Sequence, residues 1–159
     1  MKKPMAILLV LLATQGASVG VAQEPSPLLF QIERAVRENQ PSWRLVKKIT
    51  TKDGQHVSYK WKSRTSSMEL LLAFNSSKDL AIDRFKTLPI DLALSGLAMK
   101  VSATDLRLGD EALSWNHAYD RRISGVLFRK GRVVANVSGT NKDAVTRFAS
   151  QIVDALPRE

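Results

Sequence analysis

Two histidines, His56 and His117, and no cysteine are what this chain offers for proton transfer, nucleophilic attack or metal binding. Metal centres usually draw three or four ligands at helix or loop spacings. His117 has Asp110, Glu111 and Asp120 near it in sequence, enough at most for a weak divalent-cation loop, so no metal and no other cofactor is expected. Ser114, His117 and Asp120 carry the residue types of a hydrolytic triad. A triad is a matter of geometry and an oxyanion hole, and residues 23–159 contain no Gly-x-Ser-x-Gly elbow. Asp110 and Glu111 are adjacent, and neighbours in an extended segment point to opposite faces, which does not suit paired-carboxylate glycoside chemistry. With no glycine-rich phosphate cradle either, a small hydrolase built on residues 110–120 is the weakest functional reading, and the expectation is a protein that is not an enzyme.

The more specific pattern is a row of cations. Trp43 to Thr51 and Gln55 to Ser63 flank Lys52-Asp53-Gly54 and read as a hairpin. A two-residue Asp53-Gly54 turn would set Lys47 opposite Lys60 and mix polar with apolar residues on both faces. A three-residue loop shifts the pairing by one and separates them. Trp43, Leu45 and Ile49 then share a face with Val57, Tyr59 and Trp61, while Arg44, Lys48, His56, Ser58, Lys60 and Lys62 share the other. Burying each large apolar group is worth roughly 1.5–3 kcal/mol, more than the difference between turn types. This register leaves Lys47 on the apolar face, reaching out along its stem. Arg44, Lys48, His56, Lys60 and Lys62, with Arg64 beyond, are the candidate polyanion-binding residues. The competing reading is an edge kept soluble by lysines. Trp43, Tyr59 and Trp61 belong to the core in this register and not to a stacking surface.

The elements around this hairpin start with an export address. Lys2 and Lys3 precede the apolar run Met5–Ala13, followed by Gly16, Ala17, Ser18, Gly20 and Ala22. That order reads as a signal peptide over residues 1–22, cut before Gln23, and the run is far short of the ~20 residues that span a bilayer. No cysteine follows it, so the expected product is soluble and periplasmic or secreted, without a transmembrane segment. Residues 23–159 then form one domain, long enough to bury a core without staples. An exported chain without cysteine points to a bacterial envelope more than to a eukaryotic secretory route. The formal net charge is +9, of which Lys2 and Lys3 supply two; a basic exported protein can meet anionic lipid, polysaccharide or other polyanionic surfaces.

Residues 28–40 read as a helix with Leu29, Ile32, Ala35 and Val36 on one stripe, ended by Pro41. Met68–Phe74 reads as a buried strand. Ser76 or Ser77 can cap a helix over 78–88, stopped by Pro89. Leu97–Ala103 and the stretch from Ala112 read as strands. Ile123–Phe128 and Val133–Ser138 form a second hairpin about Lys130-Gly131, with Arg129 opposite Arg132. Arg121-Arg122 and Arg129, Lys130 and Arg132 read as solvated turn tips. A last helix over 142–156 carries Val145, Phe148, Ala149, Ile152, Val153 and Leu156 on its buried stripe, with Thr140 and Asp143 at capping-box spacing. The fold class is α+β: an antiparallel sheet of about six strands with helices packed on it, the N-terminal and C-terminal helices flanking.

Gly109-Asp110-Glu111-Ala112-Leu113 with Trp115, and Gly125 to Val134 with its Phe128-Arg129-Lys130-Gly131 centre, resemble the C-terminal half of small exported bacterial proteins that share a GDEA … FRKG pattern. Some of these are similar to the Mog1/PsbP-like fold, a sheet flanked by helices. The resemblance covers about 50 residues of short motifs. It implies an accessory or binding role without catalysis and transfers no functional residue. The expected function is therefore an exported, non-catalytic accessory or binding domain of the bacterial cell envelope. Its expected partner is an envelope protein or an anionic surface, and not nucleic acid.

Overall fold

The computed structural model describes residues 26–94 and 99–157; the expected export address over 1–22 lies outside the described residues. Ser26–Asn39 forms α1, with Pro27 in its first turn, where a missing N–H costs no helical bond. Leu29, Ile32 and Val36 turn inward from it. Three strands follow as a meander: β1 (Arg44–Thr50), β2 (His56–Lys62) and β3 (Ser67–Phe74). Helix α2 (Lys78–Leu94) then carries the chain across the sheet. A second meander returns through β4 (Met99–Ala103), β5 (Glu111–His117), β6 (Ser124–Lys130) and β7 (Val133–Gly139), and α3 (Lys142–Ala155) closes the fold.

The seven strands form one sheet in the order β1-β2-β3-β7-β6-β5-β4, every neighbouring pair antiparallel. This is the α+β class read from the sequence, with seven strands in place of about six. Helices α1 and α3 pack on one face over Val57, Tyr59, Trp61, Met68, Leu70, Leu72, Phe128, Ala135 and Val137. Helix α2 packs on the other, where Ala81 and Phe85 meet Ala73, Leu127 and Val134. Trp61 and Trp43 both set their rings edge-on to Phe148 of α3, and Tyr59 stacks on Trp61, as their core assignment required.

Four local expectations are corrected. Pro89 does not stop α2, which runs five residues further; Leu92, fully buried, anchors the extra turn, and that burial offsets the single helical hydrogen bond a proline removes. The β6–β7 hairpin pairs Lys130 with Val133 and Arg129 with Val134, not with Arg132. A shift of two residues keeps every side chain on its own face, so hydrophobic alternation could not separate the two registers. The cap of α3 is Asn141, whose side chain accepts from the Ala144 amide; Thr140 accepts from the Ser67 amide on β3 instead.

The fourth concerns the β1–β2 hairpin, which holds both registers in one ladder. At the turn, Thr51 and His56 close the loop, and Asp53 accepts from the Thr51 hydroxyl and the Gln55 amide. This sets Lys47 opposite Lys60, Lys48 opposite Tyr59 and Ile49 opposite Ser58. A bulge between Leu45 and Lys47 then restores Leu45 opposite Trp61 and Arg44 opposite Lys62. The turn chemistry selects one register, the pairing of Leu45 with the buried Trp61 keeps the other, and one extra residue reconciles them.

Candidate functional site

The bulge redistributes the predicted cations. Arg44, Lys60 and Lys62 stand on the sheet face that α2 shares, as expected, and His56 stands there too. Lys48 does not. It lies on the α1 face, where Nζ donates to Glu33 Oε1 at 2.7 Å and sits 5.4 Å from the centre of the Tyr59 ring. Burial and the Glu33 carboxylate push the Tyr59 phenol above its ordinary value. Lys47 takes the place that Lys48 was given. Two lysines adjacent in sequence have exchanged faces because a one-residue slip inverts every side chain between the turn and the bulge.

Helix α2 covers the β6–β7 part of this face and leaves the β1–β2 wing bare. Arg44, Lys47 and Lys62 are exposed there, and Lys60 is half-buried. Lys60 pairs with Glu69 across the β2–β3 ladder. At the inner border, Arg84 of α2 donates to His56 Nε2. A guanidinium can only donate, so the ring proton of neutral His56 sits on Nδ1. Burial first, then the Arg84 charge, hold the His56 pKa below the ordinary imidazole value.

The two motif stretches at the other end of the sheet meet in a structural lock. Arg129 is buried; its Nε donates to Glu111 Oε2 and its Nη1 to Asp110 Oδ2, both at 2.7 Å. Asp110 Oδ2 also accepts from the Gly131 amide, and the Asp110 amide donates to the Arg129 carbonyl. Asp110 and Glu111 therefore converge where an extended segment would have separated them, because Gly109, at φ +64°, bends the chain; a Cβ there would strike the Arg129 carbonyl. Burial works against the Arg129 charge, and the two carboxylates outweigh it, leaving its pKa above the ordinary arginine value. Lys130 donates to the Val153 and Leu156 carbonyls at the C-terminus of α3, at 2.7 Å each, where a cation complements the helix dipole. Arg129 and Lys130 are thus folding contacts, not the solvated tips read from the sequence; Arg132 is exposed.

The residues of the paper triad do not converge. Ser114 faces the α3 side and pairs with the Ser102 hydroxyl. His117 projects to the opposite face, and its Nδ1 accepts from the Tyr119 and Asp120 amides. Asp120 is held by Arg122 in a two-toothed pair that lowers its pKa to about 2. With Asp110 and Glu111 committed to Arg129, the carboxylates of the conceived cation loop are bound to arginines. Among the described residues, no cluster of three metal-ligating side chains occurs, and no helix is long and apolar enough to cross a membrane.

Sequence reasoning missed a cleft of about 320 Å³ on the α3 face. Its floor is β5 and β6, with Ser114, Asn116, Ser124 and Val126; one wall is the first turn of α3, and the other is the segment 104–106 after β4. Ser124 is 5 % exposed, and its hydroxyl has no hydrogen-bond partner among the described residues. The signal was legible: Ser124 occupies a β6 position in line with Val126 and Phe128, a polar residue on the apolar alternation.

No protein-family model and no curated protein sequence matches the chain. Among solved structures it is similar to a GTP binding regulator from Thermotoga maritima, at 15% identity and a TM-score of 0.49, over 82% of this chain and 84% of that one.

Proposed function

We propose that this chain is an exported, non-catalytic accessory domain of the bacterial cell envelope that docks on an anionic surface through the basic β1–β2 wing. One observation carries the reading. Arg44 faces Lys62, and Lys47 faces Lys60, in direct cross-strand pairs on a part of the sheet that none of the described helices covers. Like charges directly opposite destabilise a sheet by about 0.2–1 kcal/mol a pair. Glu69 relieves one of the four cations; an anionic partner would relieve the others. The wing retains this arrangement although solubility alone would be served by charges of either sign. The order of basic, apolar and small residues over 1–22 supports export, and the Mog1/PsbP-like resemblance supports a binding role without catalysis.

The test is binding to phosphatidylglycerol vesicles and, in a separate arm, to soluble polyphosphate, across about 50 to 200 mM salt. Each neutralised phosphate steepens the salt dependence, so affinity should fall steeply. Joint replacement Lys47→Glu, Lys60→Glu and Lys62→Glu should abolish binding, while Lys48→Glu, on the other face, should leave it. Vesicle binding alone identifies a membrane surface, and polyphosphate binding a soluble polyanion. Absence of both, or binding indifferent to salt, would end the proposal in favour of a protein partner.

A further inference from the structure

The cleft on the α3 face is remote from the basic wing and stands independently of its role. Three groups in it have no side-chain partner among the described residues: Ser124 is buried, and Lys142 and Asp105 are exposed at the rim. Ser124 on the floor is a buried hydroxyl with no hydrogen bond. A buried polar group left unsatisfied is destabilising, and native proteins keep few of them. Lys142 stands on the α3 wall, at the helix N-terminus where the dipole is positive. Asp105 stands on the wall made by residues 104–106. Neither forms an ion pair among the described residues. Val126, Leu106 and Val145 supply the apolar part of the lining.

One cleft that presents an unpaired cation on one wall and an unpaired anion on the other suits a molecule carrying both charges. We infer that it binds a small zwitterion of the amino-acid class, a free amino acid or a short peptide. Its carboxylate meets Lys142 and the first turn of α3, and its ammonium meets Asp105. The Ser124 hydroxyl, buried on the floor, turns about its Cα–Cβ bond to donate to a carboxylate oxygen, and the apolar lining receives the side chain. The volume lies at the lower end of the range for small-molecule sites. A neutral sugar would use the hydroxyls and leave both charges idle, and an inorganic anion would leave Asp105 unpaired.

The test is amide chemical-shift titration of the folded chain with L-alanyl-L-alanine, with the same dipeptide N-acetylated and C-amidated, with inorganic phosphate and with N-acetylglucosamine. The free dipeptide should move the amides of Ser124, Gly125, Lys142 and Val145, and the blocked form should not. Asp105→Asn and Lys142→Gln should each weaken binding about tenfold, the loss of one charge-assisted contact. Ser124→Ala should weaken it several-fold while leaving the melting temperature of the free protein unchanged or higher, because the hydroxyl has no partner to lose; a purely structural serine would lower it. No response at tens of millimolar dipeptide, an equal response to the blocked form, or a response to phosphate or the sugar in place of the dipeptide would each overturn the assignment.

Discussion

Lys47 and Lys60 face each other across the β1–β2 ladder with the same charge. The fold tolerates this pair instead of gaining from it, and replacing Lys47 by threonine, a good strand residue, should raise stability by about 0.2–1 kcal/mol. Urea unfolding at low salt checks the gain, which should shrink in high salt as the repulsion is screened. The same substitution should weaken binding to anionic vesicles, so that stability and binding move in opposite directions.

The Arg129 lock should be asymmetric. Arg129→Ala removes the buried guanidinium and frees two carboxylates that are each about 40 % exposed, so water takes them up. Asp110→Ala leaves the buried guanidinium short of one counter-charge and the Gly131 amide without its acceptor. Glu111→Ala removes one contact only. Chemical denaturation should rank Asp110→Ala as the largest loss, about 2–3 kcal/mol, with Arg129→Ala and Glu111→Ala nearer to about 1 kcal/mol each, after allowance for the exposure of the acids.

Trp115 donates its indole N–H to Asn136 Oδ1 at 2.9 Å, both residues being buried. Trp115→Phe strands the Asn136 amide and should cost about 1–3 kcal/mol beyond the lost packing, and adding Asn136→Leu should recover part of that loss. Gly125 lies under the ring with no space for a Cβ, so Gly125→Ala should displace the indole. Near-UV circular dichroism would register the displacement, and an unchanged tryptophan signal would contradict the packing.

Acidification should act through His56. Burial and Arg84 keep its pKa below the ordinary imidazole value, against a weaker opposing pull from Asp53. The unfolded chain, with a histidine pKa of about 6.5, then takes up the proton first. The contribution of His56 to stability is complete above that value and is lost as pH falls through it toward the lower folded value. Unfolding free energies measured between pH 8 and 5 should decline with acid in the native chain, and His56→Gln should flatten that part of the decline.

The sequence shows plainly where the large apolar groups must go. The stripes of α1 and α3, the alternation Val57, Tyr59 and Trp61, and the apolar run of β3 each allow one buried face. These determine the helices, most of the strands and the antiparallel α+β class. They leave undetermined whatever preserves that pattern. The two-residue shift between β6 and β7 moves no side chain to another face, and it was invisible for that reason. Pro89 was read as a stop because local propensity argues for one, and the burial of Leu92 overrides it.

The candidate sites divide along the same line. Sequence alone determined that the β1–β2 hairpin would bury its aromatics and present cations opposite them, since period-two alternation and the cost of burying charge dictate it. Only the tertiary structure decided which lysines those are: the turn and the far end of the ladder at Arg44 and Leu45 keep different registers, and the bulge that joins them reverses Lys47 and Lys48. Only the tertiary structure likewise placed Lys142, Asp105 and Ser124 around one cleft. They come from three separate elements, and nothing in their sequence spacing encodes the distance that chain folding removes.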